Sequence, residues 1–261
     1  MSFRCWRSVI AVGVVVAGVA CDGDRARSKG AAKSERGDTA GVSAVIDRLT
    51  SDSARAAASA DSIAAAAARG SSRAVRVGDA DLTGIGHDAG KTTAPVVVVM
   101  FSDFGCADCR RFATETFPKL EREYVRTGKV FFKYVPIISG AVPNTQQATR
   151  AAECAADQGK FWAMYDSLYA HQANWKAATV PSRVFAPYLG ADVDRATYGG
   201  CYTRQALHPR TARANQIAAQ LDVSRIPTFV VNERVMPGAL SFAELRQAID
   251  EELKKGTPTK G

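Results

Sequence analysis

Val96-Val97-Val98-Val99-Met100-Phe101-Ser102-Asp103-Phe104-Gly105-Cys106-Ala107-Asp108-Cys109 is the stretch that decides the fold. Six consecutive apolar residues, four of them β-branched, follow Pro95 and predict a strand buried on both faces. Downstream, Phe112, Phe117, Leu120 and Tyr124 keep a helical spacing, and Pro118 is expected to kink that helix. The two cysteines thus fall between a strand and the start of a helix. The Cys-x-x-Cys spacing alone says little, since about one chain in seven with this cysteine content carries one by chance. Its location says more. A sulfur at a helix N-terminus faces unpaired backbone N–H groups and the positive end of the helix dipole, both of which favour thiolate over thiol. The thiolate is the attacking species in disulfide exchange, and Cys109, one turn on, is placed to resolve a mixed disulfide at Cys106.

Outward from this segment, Lys129 to Ile138 reads as a second apolar strand. Residues from about 145 to 219 turn helical: Ala148, Ala151, Ala152 and Ala155 share one face, and Phe161, Trp162, Tyr165, Leu168 and Tyr169 mark another. Gly159, Pro181, Gly190 and Gly199-Gly200 punctuate the block. Thr228 to Val231 is a third strand, Asn232-Glu233-Arg234 its turn, and Val235 and Met236 start a fourth. Ser241 and Glu244 form a capping box for a last helix with Leu245, Ile249 and Leu253 as its buried stripe, closed by Lys254, Lys255 and Gly256. The order strand–helix–strand, helical block, strand–strand–helix predicts an α/β layer fold with one insertion.

The N-terminal 20 residues read as a targeting segment. Arg4 and Arg7 precede the apolar run Val9 to Ala20, which suits a secretory h-region and is short for a span, although an uncleaved anchor is the alternative. Export implies a compartment where disulfides persist. Residues 22 to 73 carry no aromatic residue and no proline, so segment 21–73 reads as an Ala/Ser-rich linker. Part of it is expected to be helical, around Val42, Val45, Ile46 and Leu49 and the alanine run 64–68, serving as a spacer or a self-association helix. The folded domain is expected over 74–256, with a tail at 257–261. The net charge of +8 is spread along the chain without an aromatic-interleaved basic block, which argues against nucleic-acid binding. His87, His171 and His208 lack metal-like spacing and read as surface or core residues, and Trp162 and Trp175 as core. No phosphate-binding glycine motif appears, so neither a cofactor nor a metal is expected.

Three segments carry a family resemblance. Ser102 to Cys109 resembles the active-site segment of DsbA-like proteins of the thioredoxin superfamily. Gly159-Lys160-Phe161-Trp162-Ala163-Met164-Tyr165-Asp166 is similar to a segment of their helical block. Arg225-Ile226-Pro227-Thr228-Phe229-Val230-Val231-Asn232 looks like their cis-proline loop and following strand. The likeness covers roughly residues 75 to 253 and implies a thioredoxin fold, a central mixed sheet flanked by helices, with the helical block inserted. It implies Cys106 as nucleophile, Cys109 as resolving thiol, and Ile226 and cis Pro227 as the substrate-binding edge. It also implies a structural disulfide between Cys154 and Cys201, for which two buried free thiols are the alternative. Two departures stand out: Met100 occupies a position where many relatives carry a buried acid, and Ala107-Asp108 separates the cysteines, with Asp108 expected to repel a Cys106 thiolate. Ala17-Gly18-Val19-Ala20-Cys21 resembles a bacterial lipoprotein box, with Gly18 where Leu is usual, implying lipid on Cys21; ordinary cleavage leaving a free Cys21 is the alternative.

The expected activity is extracytoplasmic thiol–disulfide exchange with exported cysteine-containing proteins, recycled by a membrane redox partner. A reductase or isomerase using the same site is the second reading. A non-catalytic thioredoxin-fold binding module, or a metal chaperone built on the two thiolates, is the third.

Overall fold

The computed structural model describes residues 73–204 and 206–256. The expected targeting segment, Cys21, the expected linker up to residue 72 and the tail 257–261 lie outside the described residues. Among the described residues, no helix is long and apolar enough to cross a membrane.

Five strands form the central sheet in the order β3-β5-β4-β6-β7: β3 (His87–Ala89), β4 (Val96–Ser102), β5 (Val130–Pro136), β6 (Thr228–Val231) and β7 (Arg234–Pro237). β4 and β5 run parallel, Val96 opposite Val130 through Ser102 opposite Pro136; the other pairings are antiparallel. Two parallel neighbours require a crossover, and the helical stretch from Ala107 to Val125 supplies it. A separate hairpin, β1 (Arg76–Val77) with β2 (Ala80–Asp81), precedes the sheet.

Period-two alternation sorts the side chains onto two faces. Val98 and Met100 of β4, Phe132 and Tyr134 of β5 and Phe229 of β6 face one cluster. It also takes in Phe112, Phe117 and Leu120 of the crossover and Leu245 and Ile249 of the last helix. Val99, Phe101, Phe131, Val135 and Val230 face the other, with Ile217, Val77 of β1 and Leu82 just after β2. β4 is buried on both faces because helices and hairpin cover it, as its unbroken apolar run predicts.

The crossover is α1 (Ala107–Arg111), a π-helical turn (Phe112–Thr116), α2 (Phe117–Leu120) and a second π-helical turn (Glu121–Val125). Pro118 therefore does not break a regular helix. The first π turn closes on Phe117 N–H donating to Phe112 O, so Pro118 enters the first turn of a new segment, where its missing N–H has no partner to lose. The inserted block follows β5. It comprises α3 (Thr145–Ala156), α4 (Phe161–Ala170), α5 (Gln172–Lys176), α6 (Pro181–Phe185) with a 3-10 turn at Ala186–Tyr188, α7 (Arg195–Tyr202) and α8 (Pro209–Gln220).

The β6–β7 turn is shorter than the sequence reading: Arg234 opens β7, leaving Asn232-Glu233 as a two-residue loop. Asn232 adopts φ 52°, the left-handed conformation such hairpin loops need. Its side chain accepts from Val97 N at 2.9 Å and donates to Glu252 at 2.8 Å, tying the hairpin to β4 and to α9 (Phe242–Lys255). α9 begins with the capping box of Ser241 and Glu244.

Candidate active site

β4 delivers the chain to the edge of the core at Ser102, and α1 starts five residues later. Cys106 is the N-cap of α1, with extended backbone, and its Sγ accepts from Cys109 N at 3.0 Å. Cys106 is half-buried and Cys109 fully buried. The two form a disulfide with Cα atoms 5.2 Å apart. Opposite them lies the loop before β6, where Ile226–Pro227 is a cis peptide bond. Cys106 Sγ is 3.9 Å from the Ile226 carbonyl oxygen. Residues 120 positions apart in the chain thus meet, Pro227 buried and Ile226 half-buried beside the outer sulfur.

The segment between strand and cysteine is held from several sides. Asp103 is fully buried. Its carboxylate accepts from Gly105 N at 2.7 Å, Ser139 N at 2.9 Å, Ser139 Oγ at 2.7 Å and the Thr145 hydroxyl, so its burial is compensated by four donors. Gln172 Nε2 donates to Phe104 O at 2.7 Å and Cys106 O at 2.9 Å, and Lys176 Nζ donates to Gly105 O at 3.0 Å. The α5 end of the inserted block therefore binds three successive carbonyls of the cysteine loop.

Gly105 is dictated by space. A Cβ there would meet Thr145 Oγ1 at 2.6 Å and Val142 Cβ at 2.7 Å. Gly105→Ala is expected to cost about 1–3 kcal/mol of stability through overpacking and to slow exchange by displacing Cys106. Urea unfolding and an exchange assay on one preparation check both effects.

Met100 is fully buried in the core, so the position holds packing and no proton acceptor. Buried hydroxyls lie nearby: Ser102 Oγ is 3.0 Å from Tyr169 OH, which is 2.7 Å from Tyr134 OH. Burial raises both phenols above the usual tyrosine range, so both stay protonated. Asp108 is not a bare charge beside Cys106. Arg111 pairs with it at 2.7 Å, both side chains largely exposed, which reduces the repulsion expected from sequence.

Cys154 of α3 and Cys201 of α7 form a disulfide, Cα atoms 5.7 Å apart. Beside it sits an ionic cluster that the sequence did not reveal. Fully buried Glu153 accepts from Arg210 Nε at 2.6 Å and lies 3.1 Å from His87 Nε2. His87 also stacks on Phe161, ring centroids 3.4 Å apart. Burial opposes the Glu153 charge, but His87 and Arg210 outweigh it and hold the carboxyl at about 2. A folded-state value below the ordinary 4.5 means that this stabilisation is complete above pH 4.5 and is lost as pH falls toward 2. Unfolding midpoints measured across that window should drop for the natural chain. Glu153→Gln should be less stable at neutral pH and flatter below 4.5.

Asp157, Cys201 and His208 bring potential ligand atoms within 4.8 Å of one another. Those atoms are already engaged: Cys201 in the disulfide, Asp157 with Arg210 at 2.7 Å, and His208 with Asp157 at 3.3 Å. His171 stacks on Tyr188. Trp162 and Trp175 are buried, their indole N–H groups donating to Asp88 O and Leu168 O.

A mixed sheet ordered β3-β5-β4-β6-β7, with helices on both faces and a helical block between β5 and β6, is the thioredoxin fold with an insertion. A family model described as thioredoxin matches residues 83–251. The chain is 30% identical over 172 residues to the probable disulfide bond formation protein D of Bacillus anthracis, an alignment covering 64% of this chain and 77% of that protein. The solved structure of oxidised BdbD from Bacillus subtilis superposes with a TM-score of 0.61 at 22% identity, covering 70% of this chain and all of that one. The Na(+)/H(+) antiporter NhaA 3 of Salinispora tropica is 34% identical over 169 residues, of which the chain spans only 24% of the length. The chain belongs to the thioredoxin family and is a DsbA-like thiol–disulfide oxidoreductase.

Proposed function

We propose that the Cys106–Cys109 pair performs this exchange outside the cytoplasm, on exported cysteine-containing proteins, in a chain processed at the end of segment 1–20 and held to a membrane through lipid on Cys21. The segment 21–73 then acts as a spacer below the domain 74–256. The observation that carries the reading is Cys106 Sγ at the α1 N-cap, 3.0 Å from Cys109 N and beside the Ile226 carbonyl.

In the oxidising direction a client thiolate attacks Cys106 Sγ, and Cys109 leaves as thiolate. A second client thiolate then attacks the client sulfur of the mixed disulfide and expels Cys106. The client gains a disulfide and the pair takes up two electrons. The N-cap hydrogen bond and the helix dipole stabilise Cys106 as leaving group, and a good leaving thiolate departs faster. A membrane redox partner accepts the two electrons and restores the pair. The Ile226 backbone offers an edge on which an extended client segment adds as a strand, while Cys154–Cys201 ties α3 to α7 in a structural role.

A second reading runs the same steps toward reduction or isomerisation. Asp108 next to the site and Ile226 before the proline, as in thioredoxin itself, favour it. An insulin-reduction assay beside oxidative refolding of a reduced substrate separates the two. Faster refolding with weak insulin reduction supports the first reading, and the opposite pattern overturns its direction.

A further inference from the structure

Lys176 is remote from Cys106 in sequence and meets the nucleophile loop only through the fold. Its Nζ donates to Gly105 O at 3.0 Å, and Gly105 is joined directly to Cys106. Covalent geometry therefore keeps the ammonium within about 9 Å of the Cys106 sulfur. Gln172, one turn earlier on α5, takes up the carbonyls on either side, Phe104 O and Cys106 O. The cysteine loop is thus fastened to α5 through three successive carbonyls, Cys106 O also accepting the first α1 bond from Arg110 N, while the Cys109 N–H is directed at the sulfur.

The other charges around the site are accounted for. Asp103 is buried under four donors. Asp108 pairs with Arg111, and Arg110 Nε donates to Tyr169 O at 3.1 Å. His171 stacks on Tyr188, and Arg225 is an exposed residue of the cis-proline loop. Lys176 is the half-buried cation in this group that bonds the peptide adjoining the nucleophile.

We propose that Lys176 is a positioning and electrostatic residue of the redox site: from the inserted block it stabilises the Cys106 thiolate and sets the balance between the reduced and oxidised pair. This rests on the reading of Cys106 as the nucleophile. A unit charge at such a distance, partly screened, shifts a thiol pKa by about half a unit to one unit. Its loss therefore favours the disulfide by about three- to tenfold in equilibrium with glutathione.

The test uses the full chain with Cys154–Cys201 intact. The Cys106 pKa is read from thiolate ultraviolet absorbance in a Cys109→Ser background, and the equilibrium with glutathione in the unaltered pair. Lys176→Gln keeps a donor for Gly105 O and removes the charge; Lys176→Arg keeps the charge. Lys176→Gln should raise the Cys106 pKa by about half a unit to one unit, Lys176→Arg should leave it in place, and about 1 M salt should shrink the difference. Two results overturn the proposal: an unshifted pKa in Lys176→Gln at low salt, or equal shifts in Gln and Arg variants, which would mark a purely steric role. A Cys106 that neither titrates as a thiol nor exchanges with glutathione would instead overturn its assignment as nucleophile.

Discussion

Serine at Cys106 is expected to abolish disulfide exchange while leaving the fold intact. A serine hydroxyl does not attack a disulfide at neutral pH, so catalysed insulin reduction and refolding should fall to background, a loss of about a thousandfold or more. Cys106 is half-buried at the start of α1 and serine is a good N-cap, so helix and core have no reason to suffer. Cys109→Ser should behave differently. The outer sulfur still attacks, but nothing inside the protein resolves the product, so a mixed disulfide with the client accumulates and is visible by mass. Equal and complete loss of the first attack in both variants would contradict the division of roles. Retained exchange in Cys106→Ser would move the chemistry elsewhere.

The second large effect concerns stability. The Cys154–Cys201 bond closes 47 residues of sequence separation between α3 and α7. Loop-closure entropy alone gives about 4 kcal/mol of stabilisation for a loop of this size. That is a large share of the roughly 5–15 kcal/mol that holds a domain folded. Cys154→Ala with Cys201→Ala should therefore lower the unfolding midpoint sharply in urea, with the Cys106–Cys109 pair kept oxidised in both proteins. Cys154 is fully buried, and the lost packing adds to the effect. A change below about 1 kcal/mol would show that the bond contributes little beyond what α3 and α7 already make by packing.

Much of the architecture is legible in the chain. β4 announces itself because burial on both faces demands an unbroken apolar run, and α9 because its cap and stripe are local patterns. The cysteine pair is legible because strand, cysteines and helix are contiguous, and Pro227 because it directly precedes β6. What escaped depends on contacts between distant residues. β1, β2 and β3 have two or three residues each, too few to show a period, and β3 exists only because β5 offers it an edge. The π turns on either side of Pro118 are not legible, because a π turn is a property of the folded helix rather than of the proline.

At the site, Asp103, Ser139, Thr145, Gln172 and Lys176 are polar residues with no motif of their own. They become a clamp when α3 and α5 pack beside Gly105. Asp103 and Gly105 offered the best available signal, an acid and a glycine just ahead of the first cysteine. Glu153 was hidden for a similar reason: an acid next to a cysteine in an alanine-rich helix reads as exposed until His87 and Arg210 arrive from other elements.

The most direct test is a redox titration of the whole chain in glutathione buffers, with free thiols trapped by alkylation and counted by mass at each cysteine. Cys106 and Cys109 should pass together between dithiol and disulfide as one two-electron couple. Asp108 is partly offset by Arg111 and Lys176, so the midpoint should lie between thioredoxin's, about −270 mV, and that of a strong oxidant, about −120 mV. Cys154 and Cys201 should stay bonded throughout. Cys106 and Cys109 that titrate singly or not at all, or a midpoint outside that window, would contradict the assignment.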